Sequence, residues 1–159
     1  ISKNRRWIFL LGILGSLLVL FYPLAFLFYP RLTEFTRLFK GNLVEILGLA
    51  LIASGMLVDL IAISRLVVSR SLFPEPDAEL LTTGVYRLAR NPVYLGAYVS
   101  LLGIFCLLPT GIYLVGLTLY TLGNHVRVLR EEEYLRTRFG HAYEMYCRSV
   151  GRYSPRIRG

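Results

Sequence analysis

A charge-free stretch runs from Ile8 to Phe28 and limits what this chain can fold into. At about 1.5 Å per residue, an α-helix of this length extends about 31 Å, roughly the thickness of the hydrocarbon core of a bilayer. The whole chain is 55% hydrophobic, which is above the usual share for a soluble globular protein. The stretch therefore predicts a membrane-spanning helix.

Two further apolar regions follow, from Leu43 to Val68 and from Val93 to Gly123. The second is too long for one ordinary membrane helix, and Pro109-Thr110-Gly111 interrupts it, which predicts a tight turn between two short helices. Small residues line one side of the first of these helices, where its partner could approach closely: Gly96, Ser100 and Gly103. Four spans are therefore expected.

Lysine and arginine residues are distributed unevenly among the connections. With four spans, 15 of them lie on the side of both termini, and three lie on the other side: Arg31, Arg37 and Lys40. Because positively charged connections stay in the cytoplasm, both termini are expected there. The predicted fold is an all-α, polytopic membrane helix bundle of about four spans with a cytoplasmic C-terminal helical segment. The length indicates a single domain, 1–159, with N-terminal spans in 1–69 and a second region in 70–159.

Several classes of site are not indicated by the sequence. Cys106 lies in a span and Cys147 in the tail, so no disulfide is expected, and neither has metal-ligand spacing with His125 or His141. No metal is predicted. The net charge of +8 is explained by topology and attraction to anionic lipid, and no nucleic-acid-binding motif accompanies it.

Two polar segments remain, the connection from 69 to 92 and the tail from about Asn124. Pro74 and Pro76 exclude a continuous helix in the first segment, and Thr83-Gly84 predicts a turn. In the tail, apolar residues recur every three or four positions and predict a helical stripe: Leu135, Phe139, Tyr143, Tyr146 and Val150. On periodicity alone, an amphipathic helix lying on lipid explains the stripe as well as a helix that forms part of a functional site does.

Two stretches, "LLTTGVYRLARNPVYLGAYVSLLG" and "RVLREEEYLRTRFGHAYEMYCRSVGRYSP", carry a more specific pattern. Together they resemble the isoprenylcysteine carboxyl methyltransferase and phospholipid methyltransferase families of integral membrane enzymes. The first block matches Gly-x-Tyr-x-x-x-Arg-His-Pro-x-Tyr-x-Gly through Gly84, Tyr86, Arg90, Pro92, Tyr94 and Gly96. The second block matches through Arg127, Glu131, Glu132, Leu135, Phe139, Gly140, Tyr143, Tyr146 and the late Pro155. The resemblance covers about residues 80 to 156.

One position departs from the family pattern, because Asn91 stands where the family has a histidine. The Asn amide donates and accepts hydrogen bonds but carries no proton at neutral pH. It can therefore replace a histidine that holds a cofactor, but not one that acts as a general base. Asn91-Pro92 is also a suitable start for a helix, and the two roles are compatible.

The resemblance implies S-adenosylmethionine as methyl donor, bound at the cytoplasmic face, with a lipid-like or prenylated acceptor entering from the bilayer. It places the cofactor-binding residues in 70–159: Gly84, Val85, Tyr86, Arg90, Asn91, Pro92, Tyr94 and Glu132. It assigns catalytic roles to Arg127 and Glu131. Glu131 is expected to pair with Arg127, four residues earlier on the same helical face, while Glu132 hydrogen-bonds the cofactor.

The chemistry depends on the acceptor. A carboxylate acceptor, as in isoprenylcysteine O-methylation, needs no base and could be positioned by Arg127, and this reading is placed first. An amine acceptor, as in phospholipid N-methylation, must lose a proton, for which Glu131 is the best candidate. The absence of a Gly-rich strand-turn-helix argues against a soluble Rossmann-type methyltransferase.

Two readings from other classes stay open. "EMYCRSV" resembles the end of the sterol reductases, which would make the protein an NADPH enzyme. A non-catalytic scaffold would use its basic residues to bind anionic lipid. Individual residues also have plain explanations, with Arg87 and Arg90 contacting headgroups and Tyr86 and Tyr94 lying in an interfacial aromatic belt. Asp59, inside the second span, is expected to face the bundle or the interface.

Overall fold

The computed structural model describes residues 3–29, 38, 40–69 and 79–155. Within these ranges all regular secondary structure is helical, as the sequence predicts. The elements in chain order are α1 (Lys3–Phe28), α2 (Asn42–Val68), a 3-10 helix (Gly84–Arg87), α3 (Pro92–Leu107), α4 (Gly111–Phe139) and α5 (His141–Ser149). The connections that carry Arg31, Arg37, Arg70, Pro74 and Pro76 lie outside the described residues.

Two helices are long and apolar enough to be candidate membrane spans, α1 over Leu10–Phe28 and α2 over Asn42–Val68. α3 is a shorter apolar helix of 16 residues. The expectation of an all-helical protein with membrane helices is thus supported by length and composition. The total of four spans and their orientation remain predictions.

The turn expected between α3 and α4 is present. The Tyr113 backbone N–H donates a hydrogen bond to Thr110 Oγ1 at 3.3 Å, so the threonine satisfies a backbone donor in the first turn of α4. The expectation of two short helices is wrong for the second one, because α4 continues for 29 residues to Phe139. The polar stretch after Asn124 contains no proline or glycine before Gly140, so nothing in it interrupts the helix.

The chain divides into two compact units, and α2, α3 and α4 contribute residues to both. The first unit comprises Ile1–Ala53 and Val99–Leu129, and the second comprises Ser54–Tyr98 and Arg130–Gly159. Each unit therefore combines segments from both halves of the sequence. The single domain expected over 1–159 stays a prediction.

Close backbone contacts pack the helices of the first unit. A Cβ added to Gly12 of α1 would lie 2.7 Å from the Gly123 Cα of α4. A Cβ added to Gly48 of α2 would lie 2.9 Å from the Gly103 carbonyl oxygen of α3. The predicted small residues Ser100 and Gly103 do lie where a helix approaches closely, but that helix is α2 rather than α4, since Ser100 Oγ also donates to the Ile52 carbonyl.

In the second unit, the predicted apolar stripe forms a protein core. Tyr143, Tyr146 and Val150 are buried against one another, with four partly buried residues packed on them: Leu80, Leu135, Phe139 and Cys147. An amphipathic helix lying on lipid is therefore the wrong explanation of the stripe. The stripe also spans two helices, because Gly140, at a φ of 50°, separates α4 from α5.

Asp59 of α2 faces α3, so the bundle-facing alternative for this residue is confirmed. A Cβ added to Gly96 of α3 would lie 2.8 Å from Asp59 Cγ and 2.7 Å from the Gly55 carbonyl oxygen. Glycine at 96 thus gives the acidic side chain its room between the two helices.

Candidate active site

The 3-10 helix opens the polar region of the second unit. It begins at Gly84, whose φ of 63° lies in the left-handed region that glycine adopts without strain. Tyr86 is buried there, and its hydroxyl donates to the Ala62 carbonyl of α2 at 3.4 Å. The Tyr146 hydroxyl of α5 donates in turn to the Tyr86 carbonyl. These two bonds hold the 3-10 helix between α2 and α5.

Arg90 and Asn91 pair through their main chain with a segment some sixty residues later. The Arg90 N–H donates to the Gly151 carbonyl at 2.9 Å, and the Asn91 N–H donates to the Arg152 carbonyl at 3.1 Å. The Asn91 carbonyl accepts the Leu95 N–H at 3.1 Å, the first bond of α3. Asn91-Pro92 therefore does start the third helix, as one reading of the sequence predicts.

Glu132 of α4 lies at the centre of a buried polar cluster and is only 4% exposed. Arg152 donates to both of its carboxylate oxygens, from Nε at 2.9 Å and from Nη2 at 2.8 Å. Asn91 Nδ2 donates to Glu132 Oε1 at 3.2 Å, and Arg90 Nη2 lies 3.4 Å from the same oxygen. Arg90 also donates from Nη1 to Cys147 Sγ. One carboxylate thus joins α4, the start of α3 and the segment after α5.

The charge state of this cluster follows from its contacts. Burial raises the pKa of the Glu132 carboxyl, but the hydrogen bond from Arg152 and the charges of Arg90 and Arg152 outweigh burial and leave that pKa below its usual value. The hydrogen bond to Glu132 raises the pKa of Arg152. Glu132 is therefore ionised throughout the neutral range. Burial raises the pKa of the Tyr86, Tyr143 and Tyr146 hydroxyls, so they remain neutral there.

Glu131, the adjacent acid, has different surroundings. It is exposed, and its Oε1 accepts a hydrogen bond from the Tyr94 hydroxyl of α3 at 2.7 Å. In the described part of the chain Glu131 forms no ion pair with Arg127, so the ion pair expected at Glu131 is not formed, and Glu132 and Glu133 pair with arginines instead. Successive helical residues point about 100° apart, which explains why one acid is buried and its neighbour is open.

A cavity of about 600 Å³ lies in the second unit, beside these residues. Its polar wall includes Arg90, Asn91, Tyr94 and Glu131, with Arg138 and Glu79 also contributing. The remaining lining is mostly apolar and aromatic: Leu66, Leu80, Leu81, Tyr86, Pro92, Val93, Tyr134, Leu135, Phe139, Tyr143 and Tyr146. Cavities of this volume, with a few convergent polar groups among apolar ones, are typical of small-molecule sites.

The structure brings most of the predicted site residues to this cavity. Those that line it are Tyr86, Arg90, Asn91, Pro92, Tyr94 and Glu131. Gly84 and Val85 form the adjacent 3-10 helix, and Glu132 contacts Arg90 and Asn91 without lining the cavity. Arg127 does not line it and belongs to the first unit, where it borders a small cavity of about 30 Å³.

Sequence reasoning missed Arg152, which makes the two shortest polar contacts to Glu132. The late "GRYSP" was used only for Pro155, although its arginine is the basic residue nearest to that proline on the N-terminal side. Tyr134 and Arg138 were also missed, although Tyr134 lies about one helical turn after Glu131 and Arg138 lies one turn after Tyr134. The Arg138 side chain donates to the Tyr134 hydroxyl at 3.1 Å.

The sequence profile of the phospholipid methyltransferase family matches residues 43–142, which is more than half of the chain. The matched segment contains the polar wall of the cavity and Glu132, and it ends before Arg152. No curated protein and no solved structure matches the chain.

Proposed function

The chain belongs to the phospholipid methyltransferase family, and on that premise we propose that it transfers a methyl group from S-adenosylmethionine to the amine headgroup of a membrane lipid. The observation that carries the proposal is the cavity of about 600 Å³, which combines a polar wall with an apolar lining. A polar cofactor and the apolar part of a lipid need such a combination in one place.

The residues at the polar wall fit S-adenosylmethionine, which has a carboxylate, an amine, two ribose hydroxyls, an adenine and a sulfonium. Arg90 has a buried Nε–H that, within the described ranges, makes no hydrogen bond. A buried donor of this kind is costly unless a partner is supplied, and a ligand carboxylate would supply one. Asn91, Tyr94 and Glu131 offer further donors and acceptors on the same wall. When bound, the cofactor supplies an electrophilic methyl group on sulfur.

The position of Glu131 supports the choice of an amine acceptor. An amine that gains a methyl group must release a proton, and the Glu131 carboxylate, exposed at the cavity and hydrogen-bonded only by Tyr94 among the contacts found, can accept it. The bound cofactor would supply the methyl group to the amine nitrogen and leave as the thioether, and Glu131 would accept the N–H proton that the amine releases. Arg127, which could have positioned a carboxylate acceptor, does not line the cavity. We therefore place amine methylation ahead of isoprenylcysteine O-methylation.

The proposal includes a topology of four spans with the site on the cytoplasmic face. It is supported by the distribution of 15 basic residues on one side and three on the other. A cysteine introduced at Arg158 should react with an impermeant reagent only from the cytoplasmic side. Labelling from the outer side would overturn the orientation.

The proposed reaction can be tested with purified protein in detergent. Calorimetric titration should detect binding of S-adenosylhomocysteine, whereas NADPH, the cofactor expected for a reductase, should not bind. Binding of NADPH alone would support the reductase reading, and binding of neither would leave the scaffold.

Glu131→Gln then tests the chemistry. It should retain S-adenosylhomocysteine binding but lose at least about 100-fold in the rate of radiolabel transfer to amine lipids, which is the contribution typical of a general base. Glu133→Gln, a neighbouring acid that is exposed, is the matched control. An undiminished rate in Glu131→Gln would exclude Glu131 as the base, and transfer only to carboxylate lipids would exclude the amine acceptor.

A further inference from the structure

The side chain of Arg152 contacts the residues of the cavity only indirectly. It does not line the cavity, yet it makes two hydrogen bonds to Glu132, one to each carboxylate oxygen. Glu132 in turn contacts Arg90 and Asn91, which do line the cavity. Any effect of the Arg152 side chain on a ligand is therefore expected to pass through Glu132.

The charges of the cluster do not cancel. Arg90 and Arg152 share the single carboxylate of Glu132, which leaves one positive charge in excess. Arg152 makes the stronger contact, because it donates two hydrogen bonds to the Glu132 carboxylate, at 2.8 and 2.9 Å. Arg90 makes the weaker one, with a single Nη2–Oε1 distance of 3.4 Å. The excess charge thus resides mainly on Arg90, the charged member of the cluster that lines the cavity.

We propose that Arg152 is a positioning residue that neutralises Glu132, so that the charge of Arg90 is available to the carboxylate of the cofactor. Without Arg152, the guanidinium of Arg90 would move fully onto Glu132, and the cavity would present a neutral pair instead of a cation. The inference rests on the proposed function, since it assumes a cofactor that carries a carboxylate.

The local structure holds Arg152 in place for this role. Gly151 leaves no room for a Cβ, because the Ser154 carbonyl oxygen of the following turn occupies that space. Tyr153 packs edge-on against Tyr98 of α3, with ring centroids 5.7 Å apart. With the main-chain bonds from Arg90 and Asn91, these contacts fix both the segment and the direction in which Arg152 leaves it.

Two probes separate a charge effect from a structural one. S-Adenosylhomocysteine carries the amino-acid carboxylate, whereas 5′-methylthioadenosine has the same nucleoside and thioether without the amino-acid part. In Arg152→Gln, the affinity for S-adenosylhomocysteine should fall about tenfold or more, as expected for the loss of a charged hydrogen bond. The affinity for 5′-methylthioadenosine should change less than about twofold. Arg136→Gln, which removes an exposed arginine of the same helix as Glu132, is the control and should change neither.

Arg152→Lys keeps the charge but not the two-pronged contact, and it should restore most of the difference between the probes. The lysine variant also provides the test if Arg152→Gln does not fold. If it keeps the wild-type ratio of the affinities for S-adenosylhomocysteine and 5′-methylthioadenosine, the proposal is supported, and if it loses that ratio, the proposal is contradicted. Equal losses for both probes in Arg152→Gln, or no loss for either, would overturn the inference alone. Failure of the wild-type protein to bind S-adenosylhomocysteine would overturn the proposed function and this inference together.

Discussion

The contacts inside the first unit differ in kind from the contacts inside the second. In the first, glycines bring helix backbones into contact, as between Gly12 and Gly123. In the second, a buried acid and tyrosine hydroxyls bind groups that are distant in sequence. The first arrangement depends on shape, and the second depends on hydrogen bonds and ion pairs between polar groups.

The difference fits the candidate membrane helix α1 of the first unit and the cofactor cavity proposed for the second. In a lipid environment, apolar surface gives little reason for helices to associate, so close van der Waals contact through small residues is what remains. The proposed cofactor cavity needs polar side chains held in fixed directions, and the hydrogen bonds and ion pairs of Glu132 hold Arg90 and Asn91 there. The second unit is therefore expected to be the more sensitive to loss of a single polar partner.

Glu132→Ala should have the largest effect. It leaves Arg90 and Arg152 without their shared carboxylate, and breaking a buried ion pair in this way costs about 3 to 5 kcal/mol. Chemical unfolding in one detergent would measure the loss. Glu133→Ala, at an exposed site on the same helix, is the control, and equal losses in the two variants would contradict the difference drawn between the units.

Gly123→Ala should rank second, with a loss of about 1 to 3 kcal/mol from overpacking. The new Cβ would overlap the Gly12 backbone, which cannot move aside like a flexible side chain. Gly111→Ala is the matched control because a Cβ there meets nothing within 4 Å. Because alanine is otherwise more favourable than glycine in a helix, Gly111→Ala should raise the free energy of unfolding, whereas Gly123→Ala should lower it. A change of the same sign in both variants would refute the close-contact explanation.

Asn91→Leu should weaken S-adenosylhomocysteine binding by about 1 to 2 kcal/mol, the lower part of the range for an unpaired polar group. The lower part applies because Glu132 keeps its donors from Arg152 and Arg90 when the amide is lost. Asn91→His, which restores the family residue and a donor, should retain binding. Titration of both variants checks this, and unchanged affinity in the leucine variant would reduce Asn91 to a helix-start residue.

Glu133→Gln should have the smallest effect, below about 0.5 kcal/mol in stability. Its pair with Arg136 spans 3.2 Å at the surface, with both side chains about half exposed or more. Measured against Glu132→Ala, this variant sharpens the contrast between buried and exposed acids of one helix. A loss of stability comparable to that of Glu132→Ala would show that the exposure of an acid does not determine how much stability its removal costs.

The local features of the site could be predicted from the sequence. The start of α3 at Asn91-Pro92, the turn at Thr83-Gly84 and the distinct roles of Glu131 and Glu132 all follow from rules that act within a few residues. The sequence-based prediction placed the ion pair at Glu131, whereas Glu132 forms it. Helical geometry indicates that the two side chains diverge but does not indicate which one is buried. That choice depends on Arg152, which the chain brings back from twenty residues away.

The partners of helices were less predictable than the helices themselves. Small residues on α3 correctly indicated a close approach, yet Gly103 meets Gly48 of α2. Periodicity likewise identified the stripe from Leu135 to Val150 but not its surroundings, since burial by protein and burial by lipid require the same apolar pattern. Contacts between distant segments depend on the whole fold and leave little trace in local spacing.

The pairing of Arg90 and Asn91 with Gly151 and Arg152 also makes the polar wall depend on a segment near the end of the described chain. A chain that ends after Ser149 would keep the residues of all five α-helices but would lose both carbonyl acceptors and the Arg152 side chain that contacts Glu132. We therefore expect the proposed cofactor site to be more sensitive to truncation at this end than the helices are.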